Sequence, residues 1–127
     1  MPFDLQCSAQ DGYLRFEVSG VRVPGELTQN MLEVWTKVAG QCRAAEVNKV
    51  LCINRLTGPV PALEVYNIGQ QVPRILGNAV HRVAMVVLGG EEAVRANLFF
   101  ENVAVNRGAF GRVFEDEAQA LAWLKSP

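Results

Sequence analysis

Few residues of this chain carry chemistry, and their types and spacing narrow what that chemistry is. Cysteines stand at 7, 42 and 52, and the single histidine is His81. No Cys-x-x-Cys pair occurs, and one histidine cannot complete a zinc set with these thiols at a usual ligand spacing. Cys42 and Cys52 fall within apolar patterns and read as buried free thiols. Nucleophilic catalysis needs a hydroxyl or thiol beside a base. Here the hydroxyls are scattered, and His81 opens a strand shortly after the polar Asn78, where it reads as structural or solvated. Glu115, Asp116 and Glu117 form an acidic cluster that helix capping explains. Gly89-Gly90 stands alone, without the spacing of a dinucleotide fingerprint or a P-loop. These residues predict a protein that is not an enzyme and holds neither metal nor cofactor.

The tripeptide Asn106-Arg107-Gly108 has a sufficient local explanation. A cation suits the negative end of a helix, and glycine supplies the left-handed residue that terminates one. Composition excludes other classes. The 127 residues predict one domain, 1–127, half apolar and one fifth charged. Net charge is −1, with the 12 Lys and Arg residues spread without a basic run, which argues against nucleic acid as a partner. Neither a signal peptide nor an apolar run of about 18 residues is present, so no membrane span and a cytoplasmic location are expected.

The elements that must position these residues are legible. Phe3, Leu5, Cys7 and Ala9 alternate with polar residues, as do Leu14, Phe16 and Val18. Asp11-Gly12 between the runs predicts a hairpin that buries one face. Leu27, Met31, Trp35, Val38 and Cys42 recur at helical spacing and predict a helix over 28–45, with Thr28 as N-cap. Lys49–Ile53 is a short apolar run, the pattern of a strand covered on both faces. Asn54–Pro61 is then a loop and 61–72 a helix, because Pro73 removes a donor and crowds the carbonyl of Gly69. Arg82–Leu88 is a second apolar strand. Glu91 and Glu92 open a helix running to about Asn106. Gly111–Glu115 is a last strand, and Asp116-x-x-Gln119 resembles a capping box ahead of a final helix. The order β-β-α-β-α-β-α-β-α predicts an α/β fold, with a mixed, mostly parallel sheet, an N-terminal antiparallel hairpin and four covering helices.

This order, with the strand Arg82-Val-Ala-Met-Val-Val and the tail Asn106-Arg-Gly…Val113-Phe-Glu-Asp-Glu-Ala118…Ala122-Trp-Leu124, resembles the STAS domain, and in particular its SpoIIAA-like branch. The resemblance covers essentially the whole chain. In anti-sigma-factor antagonists of the wider family, a serine in an Asp-Ser-Gly-like motif is phosphorylated where the helix after the central strand begins. The corresponding neighbourhood here is Asn54-Arg55-Leu56-Thr57-Gly58-Pro59. Thr57-Gly58 is the nearest match, and the acidic residue is absent. The resemblance thus implies a phosphorylation or partner loop of Asn54, Arg55, Thr57 and Gly58. The SpoIIAA-like branch is also grouped with lipid-carrying Sec14-type domains, which implies an apolar ligand pocket.

Ligands of open α/β sheets sit beyond the carboxyl ends of the parallel strands. A phosphate cradle there is disfavoured, since Pro59 and Pro61 remove donors and Glu91 and Glu92 add negative charge. Two functions remain. A regulatory or protein–protein interaction module would expose an apolar patch including Val60, Leu63 and Tyr66. A binder of a lipid or other apolar small molecule would enclose a pocket lined by Phe99 and Phe100. These two rings cannot share one narrow helical face, which also suggests a homodimer through the helix that carries them.

Overall fold

A computed structural model of the chain describes residues 3–88, 95 and 111–126. It is the α/β fold expected, built on a five-stranded mixed sheet in the order β1-β2-β3-β4-β5. β1 (Asp4–Gln10) pairs antiparallel with β2 (Tyr13–Val21). The register closes at Gln10 opposite Tyr13, leaving Asp11-Gly12 as the turn, with Gly12 at φ +86°. β3 (Lys49–Thr57), β4 (Arg82–Val87) and β5 (Gly111–Phe114) follow, each parallel to its predecessor. Helix α1 (Leu27–Ala45) links β2 to β3, and α2 (Ala62–Leu76) links β3 to β4. The final helix, α3, spans Glu117–Lys125. The helix predicted over 91–106, with Phe99, Phe100 and Asn106-Arg107-Gly108, lies outside the described residues except for residue 95.

Burial explains why β3 and β4 read as unbroken apolar runs. Val50, Cys52, Val83 and Met85 share one core with Phe16, Trp35, Val38 and Ile68, beneath α1 and α2. Leu51, Ile53, Ala84 and Val86 turn the other way and pack on Ala120 and Leu124 of α3. With both faces covered, alternation would bury polar groups, so positions 50–53 and 83–87 are all apolar. Phe16 and Trp35 meet edge to face, with ring centroids 5.5 Å apart.

Several local expectations need correction. The hairpin does not bury a whole face of β1: Phe3 is buried and Leu5 half-buried, but Cys7 and Ala9 are exposed. β1 is the sheet edge, and an open groove lined by Leu5, Cys7 and Gly40 separates it from α1. β3 does not stop at Ile53; it stays paired with β2 as far as Val21 opposite Thr57. α2 does not end at 72, for it runs through Pro73 to Leu76. The lost donor falls in the last turn, where Gly77 N–H still reaches the Pro73 carbonyl at 3.0 Å, and residue 69 is glycine. Burial of Val72 and Leu76 on either side of Pro73 offsets the break.

α1 begins one residue early and is not capped by Thr28. Its N-cap position is Glu26, whose side chain makes no capping bond. The exposed donors of its first turn are met from α2: Glu64 accepts from Gly25 N at 2.9 Å, Thr28 N at 3.0 Å and Thr28 Oγ1 at 3.2 Å. Partial burial works against the Glu64 charge. The hydrogen bonds from Gly25, Thr28 and Leu27 outweigh it and hold the carboxyl below its usual range. α3 follows expectation, with Asp116 as N-cap accepting from Ala118 N at 3.1 Å. At its far end Arg82 Nη1 donates to the carbonyls of Trp123 (3.1 Å) and Ser126 (2.7 Å), over the Trp123 ring.

Candidate functional site

The parallel strands β2, β3 and β4 all end on one side of the sheet, and the first turns of α1 and α2 begin there. Backbone pairing extends past the strands at this end. Arg22 N–H donates to the Thr57 carbonyl at 2.8 Å, and Leu88 N–H to the Asn54 carbonyl at 3.2 Å. The Arg22 guanidinium donates to the Gly58 carbonyl at 3.0 Å. Gly58 has φ +94°, and a Cβ there would stand 3.1 Å from the Arg22 carbonyl and 3.2 Å from Val21 Cγ1. Glycine is required twice over at this crossing, by backbone conformation and by the close approach of residues 21–22.

The residues predicted as one loop do not form one site. Thr57 is the last residue of β3, exposed, with Oγ1 donating to the Gly20 carbonyl at 3.3 Å. It lies five positions before α2 begins at Ala62, not at the helix start. Arg55 turns to the α3 face, where its Nε lies 3.4 Å from Glu17 Oε2. Glu17 is held below the ordinary carboxylate range, chiefly by the hydrogen bond from Arg15 and further by Arg55. Asn54 turns the opposite way and is buried beneath the helices, 7% exposed. Its Oδ1 accepts from Leu56 N at 2.9 Å. That bond identifies the carboxamide oxygen, since a backbone donor cannot face the amide nitrogen.

Asn54 lines a cavity of about 50 Å³ between α1, α2 and the sheet. Met31 and Trp35 of α1, Ile68 of α2 and Met85 of β4 supply apolar walls, and buried Arg22 joins Asn54 as a polar one. Val60 also faces it, half-buried. Cys52 on the floor is a neutral thiol, because burial pushes its ionisation far above the usual range. The thiol closest to solvent, Cys7, also has its pKa raised by desolvation. His81 is exposed at the opposite end of the sheet. Among the described residues, no group of three His, Cys, Asp or Glu side chains is placed to hold a metal ion. No described helix is long and apolar enough to cross a membrane.

Several large apolar side chains are exposed at the same end of the sheet. The exposed large hydrophobic residues among those described are Val21 (62%), Val23, Leu63 (71%), Tyr66 and Leu88. Val21 ends β2 and Val23 follows it; Leu63 and Tyr66 lie in the first turns of α2; Leu88 follows β4. All five therefore sit at the carboxyl end. Of the patch predicted from sequence, Leu63 and Tyr66 are on this surface and Val60 turns inward. Val21, Val23 and Leu88 were not foreseen, since each continues an apolar strand and reads as core. Phe99 and Phe100, predicted for a ligand pocket, lie outside the described residues. A comparison with protein-family models finds no match, and neither does a comparison with curated protein sequences.

Proposed function

We propose that this chain is a non-catalytic regulatory module of STAS type, of the SpoIIAA-like branch, which works in the cytoplasm by binding another protein at the carboxyl end of its parallel strands. The observation that supports this reading is that, among the described residues, the exposed large hydrophobic side chains all lie at that end. Scattered exposed apolar residues need no explanation, but a cluster marks a surface that is covered in use. Leu63 and Val21, more than half exposed, would each contribute about 1–2 kcal/mol when buried by a partner.

Thr57 is the candidate phosphoacceptor in this reading. A phosphate on its exposed hydroxyl would break the bond to Gly20 and bring about −1.5 to −2 charges to the edge of the docking face. Intact-mass analysis of the protein from its native cell, beside Thr57→Ala, tests this: a phosphate mass absent from the variant is expected, and a phosphate retained in it assigns modification elsewhere. The docking face is tested by affinity capture of wild type against Leu63→Asp. A protein retained by wild type and lost by the equally folded variant is expected; equal capture by both refutes the assignment.

A further inference from the structure

We infer that the open edge of β1 binds a second copy of this chain, the two β1 strands running antiparallel about a two-fold axis at Cys7. This does not rest on the docking face, which lies at the carboxyl end of the sheet and not along its edge. The two-residue turn makes Gln10 and Tyr13 a hydrogen-bonded pair, and such pairs recur at every second position of β1. Asp4, Gln6, Ser8 and Gln10 therefore commit their backbone groups to β2, and those of Leu5, Cys7 and Ala9 point away from the sheet. Native proteins blunt exposed edges with lysine, proline, bulges or very short strands. β5, the other edge, is four residues long. β1 has none of these devices: its register with β2 is unbroken over seven residues, and its only charged side chain, Asp4, stands at one end.

The strand is complementary to itself, and that identifies the occupant. Cys7 is the midpoint of Asp4–Gln10, so an axis there pairs the whole strand. On the face toward α1, Leu5 meets Ala9 of the second copy and Cys7 meets Cys7. On the other face Asp4 meets Gln10 and Gln6 meets Ser8, polar against polar with no like charges opposed. The outward backbone groups of Leu5, Cys7 and Ala9 close about six ladder hydrogen bonds across the axis. An independent observation lies across the groove. Gly40 stands inside α1, exposed, and lines the groove with Leu5 and Cys7. A Cβ there would meet nothing within 4 Å. Glycine weakens a helix interior, and no contact among the described residues requires it here. A second chain seated along the edge does, because the missing side chain leaves room for it over the groove.

Sedimentation equilibrium of the full chain tests this, and wild type is expected to associate to a dimer as concentration rises. Gly40→Arg fills the groove from a position with open space around it, and Cys7→Lys sets two ammonium groups opposite each other on the axis. Each is expected to weaken the dimer at least about tenfold with unchanged circular dichroism. The register has its own readout. Cα atoms of a hydrogen-bonded pair lie about 5.5 Å apart, within the span of a disulfide. Diamide, which takes up the hydrogens and electrons of two thiols, is therefore expected to join two wild-type chains through Cys7. The double variant Cys7→Ser, Ala9→Cys holds its thiol off the axis and is expected to stay unbridged. In dilute, monomeric protein Cys7 remains open to thiol reagents, and its reaction should slow as the dimer forms. A product of two joined copies differs in mass from an adduct with another protein, so this edge and the docking face are read separately. A chain that stays monomeric overturns the inference. So does a dimer that either variant leaves intact, or one that bridges no better at residue 7 than at residue 9.

Discussion

Removing the Glu64 carboxylate should loosen the joint between α1 and α2. Glu64→Ala deletes three acceptor contacts, to Gly25 N, Thr28 N and Thr28 Oγ1, at 2.9, 3.0 and 3.2 Å. Glu26 at the N-cap makes no capping bond of its own. A lost cap costs about 0.5–2 kcal/mol, and an ionised acceptor belongs in the upper half of that range. Solvent screening at this partly exposed position keeps it from exceeding it. Expected losses are therefore about 1–2 kcal/mol for Glu64→Ala and about half that for Glu64→Gln, which keeps one acceptor oxygen without the charge. For a domain of this size, the alanine variant should lower Tm by about 3–8 °C. The pH dependence follows from the direction of the shift. The folded-state pKa lies below the ordinary value, so the carboxylate's contribution is fully present above the unfolded-state pKa of about 4.3. It is lost as pH falls through the lower folded-state value. Urea unfolding of wild type and Glu64→Ala at pH 7 and at pH 3 measures this, with the gap expected to narrow at pH 3. Equal stability at pH 7, or a gap that does not change with pH, refutes the trans-capping role.

Gly58→Ala should cost about 1–3 kcal/mol in chemical denaturation, because alanine is strained at φ +94° and its Cβ meets the Arg22 carbonyl at 3.1 Å. Arg82→Met should lose about 1–2 kcal/mol by removing donors from the Trp123 and Ser126 carbonyls at the end of α3, read by the same assay. Leu63→Ser should leave stability within about 0.5 kcal/mol, since the side chain is 71% exposed, so lost partner binding would not reflect unfolding. A thiol reagent should modify one cysteine rapidly in native protein and all three after unfolding: Cys7 is exposed, whereas Cys42 is buried with its thiol pushed up to about 11.

Local rules reached much of this fold and little of its site. Asp11-Gly12, the apolar runs of β3 and β4, and the Asp116 cap are decided by neighbours in sequence, and each was legible there. The extension of β3 was not, because Asn54, Arg55 and Thr57 are polar and their strand conformation is imposed by pairing with Val18, Ser19 and Val21 of β2. Nor was the opposite orientation of Asn54 and Arg55, which follows from strand alternation once that extension is known. The cap on α1 spans 36 residues from Thr28 to Glu64, beyond any local signature. Pro73 misled in a similar way: its effect depends on standing three residues before the helix end with buried residues on both sides. Leu63 and Tyr66 were legible as exposed, whereas Val21, Val23 and Leu88 follow apolar strand patterns and look like core in sequence.

The central claim is that the carboxyl end of the sheet is the surface another protein covers, and site-specific photo-crosslinking tests it most directly. A crosslinking amino acid would replace Leu63 or Val21 at the docking end, and Asp11 or His81 at the opposite end, each in the full chain in its native cell. A discrete adduct with the same protein from positions 63 and 21, and none from 11 and 81, is the expected result. Adducts from 11 or 81 with none from 63 or 21 would contradict the assignment of this face.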